Sequence, residues 1–157
     1  MDIILGIDPG IADTGYGLIQ TDKNNKLHCL DFGSIRTKAN LGLPDRLEKL
    51  AKDLDLIIKK YRPQIVAVED LFFCRNVKTA LTVGHARGVI LLTIKKNKLP
   101  LLEFTPLQVK QAVSTYGRAS KSQVQEMVKL ILGLKTIPKP DDAADALAVA
   151  ICGLNSL

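Results

Sequence analysis

Ile3-Ile4-Leu5-Gly6-Ile7-Asp8 is an almost unbroken apolar run closed by a carboxylate. A continuous apolar run of this length reads as a strand buried on both faces, and Pro9-Gly10 after it is a turn signal. Working outward, Thr14-Gly15-Tyr16-Gly17-Leu18-Ile19 reads as a second strand. Asn24-Asn25 marks a turn before a third, from about Lys26 to Thr37. Three strands joined by short turns make an antiparallel meander. The period then changes. Leu43, Leu47, Leu50, Leu54, Ile57, Ile58 and Tyr61 recur at helical spacing, and Arg62-Pro63 stops that helix. Residues 64–69 predict a fourth strand, 77–96 a long helix, and Leu101–Phe104 a short fifth strand. Thr105-Pro106 starts a helix that Gly117 is expected to break, and Ser120-Lys121-Ser122-Gln123 has the form of a capping box. After the stiff Thr136-Ile137-Pro138-Lys139-Pro140 connector, the last helix begins near Asp141 or Asp142. The expectation is an α/β fold: one domain over 1–157, a mixed five-stranded sheet flanked by helices.

Composition narrows the class. A chain of 157 residues, 46% hydrophobic, is long enough for a full core and too apolar for disorder. No uninterrupted apolar run of about 18 residues is present, so no membrane span is expected. Met1-Asp2-Ile3 lacks the basic region of a secretion signal, which makes cytoplasmic residence the expectation. Cys29, Cys74 and Cys152 have no ligand-like spacing and read as reduced thiols; with only His28 and His85 beside them, a zinc site is not expected.

Four acids in three stretches carry the chemistry. Asp8 closes the first apolar run and Glu69 closes another, Ile65-Val66-Ala67-Val68. Asp142 and Asp145 open an alanine-rich helix at i,i+3 spacing, on one face. An acid that ends a core strand is poorly placed for simple solvation. Several such acids converging make a set of hard oxygen ligands suited to Mg²⁺ or Mn²⁺. Asp8 would lie centrally and could bridge two ions, with Glu69 and Asp145 flanking and Asp142 as a further ligand or a water-orienting group. Asp142 also suits a plain helix N-cap. The net charge is +6, and four of the sixteen acids belong to this set, so the rest of the surface is strongly basic. A basic surface around an acidic hole points to phosphodiester chemistry on nucleic acid.

Other residues fit that polymer. Phe72 and Phe73 directly follow the Glu69 stretch and precede Arg75, Asn76 and Lys78, an arrangement suited to stacking on unpaired bases. Lys110, Arg118 and Lys121 lie on or near the late helices and suit phosphate contacts. Gly84, Ala86 and Gly88 are small residues within one helix; they would allow close helix approach, either inside the fold or between subunits. The glycine-rich Asp8–Gly17 segment alone also fits an actin-like phosphate turn, but no second glycine-rich phosphate loop follows it. A ribonuclease H acting on RNA–DNA hybrids and a non-catalytic scaffold that only binds the nucleic acid are the remaining alternatives.

Taken in order, Gly-Ile-Asp-Pro-Gly with Thr-Gly-Tyr-Gly (6–17), Val-Glu-Asp-Leu-Phe (68–72), Gly-His-Ala-Arg-Gly (84–88), Val-Lys-Gln (109–111), Lys-Ser-Gln-Val-Gln (121–125) and Asp-Ala-Ala-Asp-Ala-Leu-Ala (142–148) resemble the RuvC-type Holliday-junction resolvases. The resemblance implies a ribonuclease-H-like fold and a homodimer making paired, Mg²⁺-dependent nicks in four-way junction DNA during recombination and repair. It also implies partnership with a branch-migration helicase complex. By motif, the catalytic acids fall on Asp8, Glu69, Asp142 and Asp145, the junction-probing aromatic on Phe72, and two functional lysines on Lys110 and Lys121. The chain departs from the family pattern at Asp70, where a neutral amide is common, and at Asp13, an extra acid near the first loop.

Overall fold

The computed structural model describes residues 2–70 and 76–157. Its five strands are β1 (Ile3–Asp8), β2 (Asp13–Thr21), β3 (Leu27–Arg36), β4 (Ile65–Glu69) and β5 (Leu101–Phe104). Its helices are α1 (Leu43–Tyr61), α2 (Val77–Lys96), α3 (Pro106–Ser114), α4 (Lys121–Ile131) and α5 (Asp141–Asn155). The strands form one sheet in the order β3-β2-β1-β4-β5. β1 pairs antiparallel with β2 and parallel with β4, and β4 is parallel to β5.

The apolar run at the N-terminus is therefore the middle strand, and alternation along it builds two cores. Leu5 and Ile7 point to one face, where Val66 and Val68 join Leu50, Leu54 and Ile58 of α1 and Ile90 and Ile94 of α2. Ile4 points to the other, where Ala67 meets α5 through Leu147, Ala148 and Ile151, with α3 and α4 beyond. Each strand side chain is committed to one layer because neighbouring residues face opposite ways.

α5 lies unusually close to this sheet. A Cβ on Gly6 would come within 2.1 Å of the Ala146 carbonyl oxygen, and one on Gly15 within 2.0 Å of the Asp142 carbonyl oxygen. The helix backbone rests directly on strand backbone at these points, which only glycine permits.

Two sequence expectations need correction. α3 ends at Ser114, not at Gly117, because Thr115 turns the chain with a left-handed φ of 57°. Neither Asp141 nor Asp142 caps α5: Pro140 is its N-cap and no side-chain cap forms, which frees the acids of the first turn. The small residues of α2 divide between the two readings: Ala86 is fully buried inside the fold, while a Cβ on Gly88 would meet open space.

The membrane expectation is also qualified. α2 is long and apolar enough to cross a bilayer by length and composition, even though Lys78, His85 and Arg87 interrupt it. Here one side of it packs into the fold through Ala86, Ile90, Thr93 and Ile94, and Arg87 is ion-paired. Cys29 and Cys152 are unpaired thiols pushed up to about 11 by burial, with Asp31 adding to the effect at Cys29; Cys74 lies outside the described residues.

The late helices are well capped. Thr105 Oγ1 accepts from Gln108 N at 3.2 Å, and Gln108 Oε1 accepts from Thr105 N at 2.8 Å, a reciprocal capping box. Ser120 and Gln123 repeat the arrangement on α4. Thr105→Ala is expected to cost about 1 kcal/mol. In thermal unfolding this should appear as a drop of roughly 2–4 °C, and an unchanged midpoint would show that α3 does not depend on its cap.

Candidate active site

Asp8 and Glu69 are brought together by strand pairing. Ile7 is opposite Val68 in the parallel β1–β4 ladder, so the next residue of each strand is an acid at the same sheet edge. Alternation also sets their direction. Asp8 shares the parity of Ile4 and Gly6, and Glu69 that of Ala67, so both belong to the α5 face. The crevice beyond the carboxyl ends of parallel strands is where α/β proteins commonly place ligands.

The first turns of α5 supply the other two acids. One carboxylate oxygen each from Asp8, Asp142 and Asp145 lie within 4.8 Å of one another. Asp8, Glu69 and Asp145 also line a cleft of about 240 Å³, together with Lys110 of α3 and Lys121 of α4. Lys121 Nζ stands 3.4 Å from Asp145 Oδ2 and 3.9 Å from Asp141 Oδ2.

The electrostatics are those of a ligand set without its counter-charge. Asp8 is held well above the usual carboxylate range, first by burial and then by Glu69, Asp145 and Asp142. Burial also raises Glu69, against the opposing pull of its hydrogen bond with Asp8 and of Lys110 and Lys121. Asp142 is raised by burial and by Asp13, and Asp145 by burial, with Lys121 opposing both shifts. Burial pulls the Lys121 ammonium down, but Asp145, Asp141 and Asp142 together outweigh it and its pKa ends above the ordinary value. Carboxylates this close and this desolvated repel one another, and a hard divalent cation relieves that repulsion. The residues present therefore fit a divalent metal.

Neighbouring groups hold the cluster in place. Asp13 lies at the start of β2, is ion-paired with Arg36 Nε at 3.0 Å, and accepts a hydrogen bond from Ser34 Oγ at 2.7 Å. Asp70 is paired with Arg87 Nη2 of α2 at 3.1 Å, and the same guanidinium bonds Glu103 of β5. Asp70 N also donates to Phe104 O at 2.7 Å. The residue after Glu69 is thus tied to both α2 and β5. Reading the sequence missed the role of Arg87, although it lies within Gly-His-Ala-Arg-Gly; an isolated arginine in a helix gives no sign of its distant partners.

Not every expected residue converges here. Lys110 and Lys121 line the cleft, whereas Arg118 lies in the exposed connector between α3 and α4 and Lys78 in the first turn of α2. Phe72, Phe73 and Arg75 lie outside the described residues.

Known proteins share this arrangement and this sequence. The family described as crossover junction endodeoxyribonuclease RuvC matches residues 4–153. The RuvC protein of Ruminiclostridium cellulolyticum is 56% identical over 154 residues, 98% of this chain and 92% of its own length. That of Heliobacterium modesticaldum is 58% identical over 155 residues, covering 99% and 95%. The structure of T. thermophilus RuvC in complex with a Holliday junction substrate superposes with a TM-score of 0.86 at 33% identity, covering 96% of this chain and 91% of that one. The five-stranded mixed sheet is thus of the ribonuclease-H-like kind. Kinship of this extent, over nearly the full length of each protein, places the chain in the RuvC family of crossover junction endodeoxyribonucleases.

Proposed function

We propose that this chain resolves four-way DNA junctions by paired, symmetric nicks, with Asp8, Glu69, Asp142 and Asp145 as its catalytic and metal-binding acids. The observation that carries the reading is the convergence of three carboxylate oxygens within 4.8 Å at the end of the central strand. A relative of high structural similarity was captured with a Holliday junction substrate, which supports the choice of DNA.

Each group has a task. Asp8 on the middle strand, with Glu69, Asp142 and Asp145 around it, would hold the divalent cations. Two Mg²⁺ ions, or Mn²⁺ in their place, would supply water activation and leaving-oxygen stabilisation. Lys110 and Lys121 face the cleft and orient the scissile phosphate against the acids. Arg118, Lys78 and Arg75 contact phosphates farther along the strand, and Phe72 and Phe73 stack on bases opened at the junction.

The whole of 1–157 acts as one nuclease domain. Two copies pair through the exposed stripe of α2, where Val77, Leu81 and Leu92 stand open on the side of Gly88. A two-fold dimer matches the two-fold symmetry of the junction and gives one cut per subunit. The junction would be delivered by a branch-migration helicase complex.

The decisive experiment is cleavage of an end-labelled mobile four-way junction, with and without Mg²⁺, beside a duplex and an RNA–DNA hybrid. Paired nicks in the junction alone, dependent on metal, are expected. Cleavage of the hybrid instead would move the assignment to ribonuclease H, and binding without nicks would leave a scaffold.

A further inference from the structure

The connector between α3 and α4 carries an exposed aromatic that the acids, the lysines and the Phe72 segment leave without a role. Tyr116 is 58% exposed and Leu107 of α3 is 53% exposed. They flank Gly117, which lies so close to α3 that a Cβ there would come within 2.4 Å of Leu107 Cδ1. The connector thus folds back on α3 at Gly117, next to Tyr116, and both Tyr116 and Leu107 stay exposed.

The ring is exposed on a fixed turn. Thr115 reverses the chain in the left-handed region. Tyr116 N donates to Ser114 Oγ at 3.3 Å, and Tyr116 O accepts from Ser114 Oγ at 2.8 Å and Ala119 N at 3.2 Å. Backbone bonds, not burial of the ring, hold Tyr116 where it is. A flat apolar group kept in water on a rigid support is prepared for a partner, because little ordering entropy remains to be lost on binding.

Its surroundings name the partner. The same helix that carries Leu107 presents Lys110 to the acidic cleft, and the same connector leads into Lys121, which lines that cleft. Lys110 and Arg118 make no ion pair with any described residue, so their charge is available to an anion. An exposed ring on the connector that carries Arg118 and joins the helices bearing the cleft-lining Lys110 and Lys121 matches a nucleobase whose flanking phosphates run over the cations. In a duplex the base faces are already stacked, so only an opened strand offers one.

We propose that Tyr116, backed by Leu107, stacks on an unpaired nucleobase of the strand held in the acidic cleft, and so favours opened junction DNA over duplex. The inference rests on the nuclease reading above and adds a second base-reading position on the α3–α4 side of the site. Stacking of one base contributes enough that its loss weakens binding about tenfold or more.

The test compares wild type with Tyr116→Phe, Tyr116→Leu and Tyr116→Ala. Binding of a four-way junction and of a matched duplex is measured in Ca²⁺, with 2-aminopurine placed in the opened strand near the cut. Tyr116→Ala is expected to weaken junction binding about tenfold and duplex binding less than twofold, with loss of 2-aminopurine quenching. Tyr116→Phe should match wild type, and Tyr116→Leu should fall between. Thermal unfolding should be the same for all four, since the ring is exposed. Junction binding unchanged in Tyr116→Ala, equal losses on junction and duplex, or a Tyr116→Phe loss as large as that of alanine would each overturn the proposal. Wild-type nicking in Mg²⁺, run alongside, separates the two ideas. Nicking with no effect of Tyr116→Ala removes the stacking alone, whereas ring-dependent junction binding without nicking removes the nuclease reading and keeps the stacking.

Discussion

Asp8→Asn should abolish junction nicking while making the metal-free protein more stable. The catalytic loss follows from geometry. Asp8 is the member of the acid set that reaches Glu69 as well as Asp142 and Asp145, and an amide replaces a carboxylate ligand with a neutral group. Metal stabilisation of a transition state amounts to several kcal/mol. Losing it should slow nicking by at least about 10³-fold, since each 1.36 kcal/mol is a factor of ten. Junction binding should be kept, because Lys110, Arg118 and Lys121, the proposed phosphate contacts, are left in place.

The gain in stability follows from the raised pKa. A carboxyl whose folded-state pKa is raised contributes stability below its ordinary, unfolded value, and that contribution is lost as pH rises toward the folded value. At neutral pH Asp8 therefore weighs against the fold, chiefly through burial and then through Glu69, Asp145 and Asp142. The asparagine side chain carries no such penalty. The unfolding midpoint in chelator should rise by a few degrees at pH 7 and change little near pH 4. Added Mg²⁺ should raise the wild-type midpoint by mass action and raise that of the variant much less. Nicking at wild-type rates, or a variant less stable than wild type at pH 7 without metal, would contradict the placement of Asp8 in a repelling, metal-seeking cluster.

Gly6→Val should remove the folded state itself. A Cβ at Gly6 would lie 2.1 Å from Ala146 O, 2.5 Å from Ala150 N and 2.8 Å from Ala150 Cβ. These distances are far inside van der Waals contact, and two of the three atoms are helix backbone. Neither partner has room to yield. β1 is paired on both sides, and Ala146, Leu147 and Ala150 are fully buried. Overpacking of an ordinary core site costs about 1–3 kcal/mol, and a clash of two backbones belongs to the larger class above about 4. That is a large part of the stability of a typical domain. Urea unfolding should show the variant largely unfolded or soluble only in small yield. A cooperative transition near the wild-type midpoint would mean that α5 can lift off the sheet, and the position of Asp142 and Asp145 would then need another explanation.

Much of this was readable beforehand, and the reasons are local. The N-terminal apolar run identified the central strand because a strand buried on both faces can carry no polar alternation. The face of α1, the Thr105 and Ser120 caps and the two strand-ending acids were legible because each depends on residues within a few positions of one another. The errors were local as well. Gly117 looked like the residue that ends α3, but Thr115 adopts the left-handed conformation two residues earlier. Gly84, Ala86 and Gly88 were read together as small residues of one helix, yet only Gly84 and Gly88 share a face, at i,i+4 spacing, while Ala86 belongs to the core.

The sequence by itself determined the order of strands and helices, the four candidate acids and the family, because pattern, spacing and ordered motifs are carried by the chain one residue after another. Only the tertiary structure decided the rest. The register that sets Asp8 beside Glu69, the backbone contact that lowers Asp142 and Asp145 onto them, and the Arg87 bonds to Asp70 and Glu103 all join residues far apart along the chain. Such contacts form when two layers close on one another, and no local pattern records which atoms then meet.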